Sequence, residues 1–159
     1  MPDFKDIYYD VFMSTVKWTQ DQIAQITADG IGNPRYIDWD QHAEIHELDS
    51  VDYIGPGAVT LTDDGGDSML EATVMIGVSS YDDTNLFRQR RYMSRIFDKL
   101  RYKADHSNRF ALYNADSTTI IGWMIPATPT TASPMERSET RPFQFVQARL
   151  LIDPSASRS

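Results

Sequence analysis

The fold is decided by residues 69–103, which read MLEATVMIGVSSYDDTNLFRQRRYMSRIFDKLRYK. In the first part, apolar residues alternate with polar ones from Leu70 to Val78, which is the pattern of a strand with one face against a core. In the second part, the period changes to three or four residues, which is the pattern of an amphipathic helix. The helical stripe contains Leu86, Met93, Ile96, Phe97 and Leu100, with Arg90 at the same spacing. We therefore expect a strand over residues 69–80 and a helix over residues 86–103.

The start of this helix is marked by the polar residues 82–85, Asp-Asp-Thr-Asn. Thr84 or Asn85 is expected to cap the helix, because their side chains accept hydrogen bonds from the free N–H groups of a first turn. Asp82 and Asp83 then lie near the positive end of the helix dipole.

The remaining elements follow from the same two patterns. A long amphipathic helix is predicted from Phe4 to about Ala28, where Asp29 and Gly30 end it. Residues 54–57, Ile-Gly-Pro-Gly, are predicted to form a turn, and residues 63–67 a hairpin loop. Strands are predicted at residues 36–37, 58–62, 110–113, 118–126 and 142–152.

These elements predict a single α/β domain in which the two main amphipathic helices pack on a sheet. With 159 residues the chain fits one domain, expected over residues 1–153, followed by a flexible tail over residues 154–159. The strand over residues 69–80 is expected to be central.

Residues 127–141, between the last two predicted strands, are rich in Thr, Ser and Pro. Such a segment buries little apolar surface, so we expect it to project as the arm of a long C-terminal β-hairpin. It is either a flexible loop or an arm that becomes ordered against a partner. The candidate partner contacts are Thr130, Thr131, Met135, Glu136, Arg137 and Glu139.

The two signs of charge are separated along the chain, which has a formal net charge of -8. Residues 36–87 contain twelve acidic residues and no Lys or Arg, whereas residues 88–103 contain seven basic residues and one acid, Asp98. Either these charges pair within one molecule, or the acidic surface of one copy meets the basic helix of the next in a head-to-tail ring. The second hypothesis makes the following residues the candidate subunit interface: Arg88, Arg91, Arg95, Arg101, Asp63, Asp64 and Asp67.

The sequence contains no pattern that indicates catalysis or cofactor binding. It has no Cys, no phosphate-binding glycine motif and no Gly-x-Ser-x-Gly turn. His42 and His46 stand four residues apart, but no third ligand is evident, so we predict no metal site and no cofactor. No apolar run is long enough to span a bilayer, and we expect neither an enzyme nor a membrane partner.

The order of helix, hairpin, helix and long C-terminal hairpin resembles the tail terminator (tail completion) proteins of long-tailed bacteriophages. The resemblance is carried by the segment 67–79, DSMLEATVMIGVS, by the helix at 86–103, and by the last strand at 143–152, FQFVQARLLI. It covers most of the chain.

The resemblance implies an α/β (α+β) fold with a mixed, mostly antiparallel sheet flanked by two main amphipathic helices. It also implies a structural virion protein that forms a hexameric ring. This ring caps the tail tube and joins it to the head-completion or neck proteins, and genomic DNA only passes through its lumen. The protein would be assembled in the host cytoplasm and located in the tail or neck of the virion. Two alternatives remain open, namely another neck or head-completion subunit and a nucleic-acid-binding module that uses the arginine-rich helix.

Overall fold

The computed structural model describes residues 6–41, 48–63, 70–137 and 141–153. Two α-helices and seven strands make up its regular structure. Their bounds are α1 Ile7–Ala28, β1 Arg35–Tyr36, β2 Tyr53–Thr62, β3 Glu71–Ser79, α2 Phe87–Leu100, β4 Phe110–Tyr113, β5 Ile120–Ala132, β6 Glu136–Arg137 and β7 Pro142–Asp153. Single 3-10 turns occur at Trp39–Gln41 and at Thr84–Leu86.

The strands form a mixed sheet in the order β1-β2-β3-β7-β5-β4, and β6 pairs with β7 beside this path. β1 is parallel to β2, and every other pairing is antiparallel. The predicted fold class is confirmed: an α+β fold with two helices, a mostly antiparallel sheet and a long C-terminal hairpin made by β5 and β7. The predicted central position of β3 is also confirmed, since β3 lies between β2 and β7.

One face of the sheet forms the core together with both helices. Val74 and Ile76 of β3 are at most 1% exposed, and their partners on β7 are Ala148 and Val146. Met93, Ile96 and Leu100 of α2 and Val11, Trp18 and Ile26 of α1 belong to the same cluster. The alternation predicted for β3 is therefore explained by burial of every second residue.

The opposite face carries Glu71, Thr73 and Met75 of β3 beside Gln147 and Arg149 of β7. We call this the open face, because neither described helix packs on it. One end of it is covered by Trp39, whose indole N–H donates to the carbonyl oxygen of Gly77 at 3.1 Å. A Cβ atom at position 77 would lie 2.5 Å from this indole nitrogen. Glycine at position 77 thus allows the 3-10 turn at Trp39–Gln41 to lie directly on the sheet.

The turn predicted at residues 54–57 is wrong, because these residues belong to β2. A Cβ atom at Gly55 would lie 1.5 Å from the carbonyl oxygen of Ile37, so glycine is required where the chain after β1 crosses close to β2. A shift in register between Pro56 and Val59 accommodates the proline within the strand.

The predicted start of the second helix needs two corrections. Asp83, rather than Thr84 or Asn85, accepts hydrogen bonds from the backbone N–H groups of Arg88 and Gln89, at 3.0 and 2.7 Å. The buried stripe contains Gln89 and Tyr92, whereas Arg90 is exposed. Helical spacing alone did not distinguish the buried positions 89 and 92 from the exposed position 90, because a long side chain can lie at the edge of an apolar stripe.

The prediction that residues 127–141 form an arm needs a correction for its first part. Residues 127–132 continue β5, and Thr131 and Ala132 pair with Gln147 and Val146 of β7. The expected arm is therefore reduced to residues 133–141, of which 138–140 lie outside the described residues.

Gly55→Ala is expected to destabilise the fold by about 3 kcal/mol, because the added methyl group meets a backbone carbonyl that cannot rotate away. Urea denaturation of the purified protein measures this loss. Ala58→Ser, at an exposed position of the same strand, is the matched control and should change the free energy of unfolding little. Equal stability of the two variants would contradict the close approach of Ile37 to β2.

Candidate subunit-contact surfaces

A partly buried ion pair helps to fix the orientation of α2. Asp52, which directly precedes β2, is 7% exposed and accepts hydrogen bonds from Nε of Arg88 at 2.9 Å and from Nη2 of Arg88 at 3.3 Å. The Tyr92 hydroxyl donates to the same carboxylate at 2.5 Å, and the backbone N–H of Tyr81 donates at 2.8 Å. These four hydrogen bonds compensate for removing the carboxylate from water.

The pKa of Asp52 reflects this balance. Burial raises the pKa, but the hydrogen bonds from Arg88, Tyr92 and Tyr81 and the charge of Arg88 outweigh it, so the pKa stays below its usual value. Burial and the same carboxylate raise the pKa of Tyr92. The hydrogen bond to Asp52 raises the pKa of Arg88, which is therefore a permanent cation.

Gln89 fixes the helix to the sheet beside this ion pair. Its side chain is fully buried, accepts from the backbone N–H of Ser80 at 2.8 Å and donates to the carbonyl oxygen of Val78 at 3.1 Å. The side chains of Gln89, Arg88 and Tyr92 together determine which side of α2 faces the protein. The opposite side must then face outward.

The four arginines predicted as interface residues have different environments. Arg88 is held by Asp52, Arg95 pairs with Asp29 at 2.6 Å, and Arg101 pairs with Asp98 at 3.1 Å. Arg91 has no carboxylate partner among the described residues, and its guanidinium group lies 5.5 Å from the ring centroid of Phe87. Within one copy, Arg91 is therefore the member of the predicted set that is most available to a partner.

The outward side of α2 combines cations with an exposed aromatic ring. Phe87 is 63% exposed, and Arg90 and Arg91 are also exposed. Arg90 donates to the carbonyl oxygen of Asn85 at 3.0 Å and, like Arg91, makes no ion pair with a described carboxylate. We call Phe87, Arg90 and Arg91 the cationic face of α2. Arginine and aromatic side chains together are typical of protein interfaces.

The acidic residues predicted as their partners are only partly described. Asp63 is exposed at the end of β2, whereas Asp64 and Asp67 lie outside the described residues. Asp38 and Asp40 lie in and next to the 3-10 turn that covers one end of the open face. Asp38 accepts hydrogen bonds from within the turn, and Asp40 is exposed without a cationic partner in the described ranges. We call Asp38 and Asp40 the acidic turn.

A pocket of about 320 Å³ lies on the open face where β5 curls over β7. Its lining residues are Thr73, Pro129, Thr131, Ser133, Pro134, Phe145, Gln147, Ala148 and Arg149. Arg149 closes one side of the pocket, since it pairs with Glu71 and donates to the carbonyl oxygen of Thr128 at 3.0 Å. We call this cavity the open-face pocket.

The predicted contacts of the hairpin arm fall into three groups. Thr130 points toward α2 and donates to the carbonyl oxygen of Leu100 at 3.1 Å, whereas Thr131 lines the open-face pocket. Met135 is half-buried, and Glu136 and Arg137 form the exposed strand β6. Glu139 lies outside the described residues.

Arg141 fastens the end of this segment to the body of the protein. Its guanidinium group lies 5.5 Å from the ring of Tyr53 and 5.4 Å from that of Tyr81, and Nη2 donates to the carbonyl oxygens of Asp49 and Val51. Burial lowers the pKa of Arg141. Arg141 is therefore fixed, directly before β7, to the segment that precedes β2.

The metal prediction concerns His42 and His46, which lie outside the described residues. Within the described ranges, no group of three potential metal ligands occurs. No described helix is long and apolar enough to cross a membrane.

Sequence reasoning missed Phe87 and misplaced Arg90. Phe87 directly follows the predicted stripe residue Leu86, so its exposure became evident only once α2 was oriented by Asp52. The acidic turn was counted as part of an acidic block, but nothing in the sequence indicated that Trp39 would bring it onto the sheet.

No protein-family model matches the chain, and no curated protein matches it in sequence.

Asp52→Asn is expected to lower the free energy of unfolding by about 3 kcal/mol at about pH 7, because Arg88 loses its buried partner. The pKa of Asp52 is depressed in the folded state, so its stabilising contribution is complete above the unfolded pKa of about 4 and is lost as the pH falls toward the folded value. Urea denaturation at a series of pH values should show that the difference in free energy of unfolding between wild type and variant becomes smaller below about pH 4.

The control for this prediction is Asp98→Asn, which removes an exposed carboxylate paired with Arg101 and should change stability little. The role of the ion pair would be contradicted if Asp52→Asn had the same free energy of unfolding as the wild type at neutral pH. It would also be contradicted if the difference between the two stayed constant down to strongly acidic pH.

Proposed function

We propose that this protein is a ring-forming structural subunit of a bacteriophage tail, with the role of a tail terminator. The ring caps the tail tube and joins it to a head-completion or neck protein. Two things support this proposal: the resemblance carried by residues 67–79, 86–103 and 143–152, and the α+β fold, which is the fold class that the resemblance implies.

The observation that carries the proposal is the position of unpaired charge on opposite sides of the sheet. The cationic face of α2 lies on the helix side, and the acidic turn lies over the open face. A head-to-tail contact requires complementary patches on different sides of one subunit, and such contacts close into rings when the rotation is suitable. Opposite charges on these patches favour that association over a two-fold dimer, in which each patch would meet its own copy.

The remaining surfaces fit contacts with adjoining rings. The exposed strand β6 and its neighbours, at residues 133–137, are the proposed contact toward the tail tube or the neck. DNA is proposed only to pass through the lumen, because a subunit with a formal net charge of -8 does not retain a polyphosphate chain.

The experiment that tests this function is the oligomeric state of the purified protein, measured by light scattering and negative-stain microscopy. A closed, hexameric ring that binds the ends of isolated tail tubes would support the proposal. A monomer at all concentrations would contradict it. A monomer whose affinity for DNA falls steeply with salt would favour the nucleic-acid-binding alternative.

Reversing charge on one patch is expected to dissociate the ring. The variant Arg90→Glu with Arg91→Glu should remain folded, since neither residue pairs with a described carboxylate, but should elute as a monomer. Asp40→Lys should weaken the ring in the same direction, and Asp38 is kept because it accepts hydrogen bonds within the turn. Combining Asp40→Lys with Arg90→Glu and Arg91→Glu should restore part of the association, because the attraction is then reversed rather than lost. Size-exclusion chromatography with light scattering measures the oligomeric state of each variant.

The matched control is Lys17→Glu with Arg109→Glu, which makes the same change in net charge at exposed positions away from α2. It should leave the ring intact. A ring that tolerates every one of these reversals would exclude the two patches as its electrostatic contact.

A further inference from the structure

We propose that Phe87 of one copy inserts into the open-face pocket of the next copy and is the anchor of the subunit contact. This inference rests on the proposed ring and identifies the side chain and the cavity that join its subunits. A small number of buried aromatic and arginine side chains usually carry most of the binding energy of an interface.

The structure presents Phe87 in a fixed position. It is the first residue of α2 and follows Asn85 and Leu86, whose φ angles are 58° and 57°. A leucine in the left-handed region is unfavourable, and such strain persists only where surrounding contacts impose it. Here the hydrogen bonds of Asp83 to the first turn of α2 and the Asp52–Arg88 pair impose it. These contacts fix the backbone that carries Phe87, so only the side-chain torsions of the ring have to be ordered when it binds.

The open-face pocket is suited to receive such a ring. Pro129, Pro134 and Phe145 supply apolar lining, and its volume of about 320 Å³ exceeds that of one phenyl group. The polar residues of its lining are Thr73, Thr131, Ser133, Gln147 and Arg149. Apolar and polar side chains lie together in this way in many interfaces.

The cations beside the ring and the acidic turn near the pocket have opposite charges, and Arg149 in the pocket lining is paired with Glu71. Arg90 and Arg91 lie within one helical turn of Phe87. On the receiving side, the aromatic rings of Trp39, Phe143 and Phe145 connect the acidic turn to the pocket, with centroid distances of 5.1 and 6.5 Å. An inserted Phe87 would therefore bring its neighbouring arginines toward Asp38 and Asp40.

Phe87 cannot reach this pocket within its own copy. The ring lies on the outward side of α2, on the helix side of the sheet, and the pocket lies on the opposite face. The contact has to be made between copies, and it has the head-to-tail character that a ring requires.

Truncation tests the anchor. Phe87→Ala should leave the melting temperature unchanged, since the side chain is 63% exposed, and should raise the dissociation constant of the ring by about tenfold or more. The matched control is Tyr102→Ala, which removes another exposed aromatic ring beyond the end of α2 and should not change assembly. An intact ring for Phe87→Ala would overturn the inference while leaving the proposed function in place. Absence of a ring in the wild-type protein would overturn both.

Cross-linking tests the pocket, and because the chain contains no Cys, only the introduced thiols can react. The variant Thr84→Cys with Gln147→Cys places one thiol near Phe87 and the other at the pocket, so a short bis-maleimide should link successive copies into a ladder on a denaturing gel. The control Lys99→Cys with Gln147→Cys puts the first thiol near the other end of α2, about 18 Å from Phe87 along the helix, and should give no ladder.

Adding Phe87→Ala should abolish the ladder of the first variant. The assignment of the pocket would be overturned if Phe87→Ala no longer assembled but the variant Thr84→Cys with Gln147→Cys gave no ladder. A normal ring that no longer binds tail tubes when Phe87 is truncated would show instead that Phe87 anchors a different protein, which also overturns the inference.

Discussion

The buried pair of Asp52 and Arg88 is the interaction on which the arrangement of the other surfaces depends. It connects the start of β2 to the first turn of α2, and the Tyr92 hydroxyl completes the set of donors around the carboxylate. A buried carboxylate is tolerated only when such donors compensate for lost hydration. Because Arg88 and Tyr92 turn inward to satisfy Asp52, Phe87 is placed on the opposite side of the helix, in solvent. This pair, together with the buried Gln89 and the apolar stripe of Met93, Ile96 and Leu100, determines which side chains of the helix face outward.

The sheet separates two kinds of surface. Helices α1 and α2 cover the face that carries Val74 and Ile76, and this burial supplies the core. The open face is covered at one end by Trp39, a contact that is possible because Gly77 has no side chain. The same contact brings Asp38 and Asp40 to the side of the molecule away from the cationic face of α2. Of the acidic stretch, Asp38 and Asp40 are thus separated from the cationic face, whereas Asp52 and Asp83 hold the start of α2.

The candidate contact surfaces were predictable only in part. The charge count correctly identified a basic helix, but three of its four selected arginines are engaged within the chain, by Asp52, by Asp29 and by Asp98. Side-chain type does not reveal such partners, because Asp52 lies 36 positions before Arg88. The open-face pocket was equally hidden, since it is built by Pro129 and Pro134 folding toward Phe145 and Gln147.

The sequence by itself determined the elements whose periodicity is enforced by one-sided burial. The alternation in β3 and β7 and the spacing in α2 predicted both strands, the helix and the fold class, because each element must hide one face from water. Only the tertiary structure decided the places where another segment of the chain outweighs the local conformational preference, either by approaching the backbone closely or by forming hydrogen bonds with it. Gly55 lies within a strand at the point where the carbonyl group of Ile37 approaches the backbone. Asp83 caps α2 because its carboxylate is placed to accept hydrogen bonds from two backbone N–H groups. Residues 127–132 extend β5 because β7 offers them backbone hydrogen-bonding groups. In each case the deciding atoms lie outside the local sequence pattern.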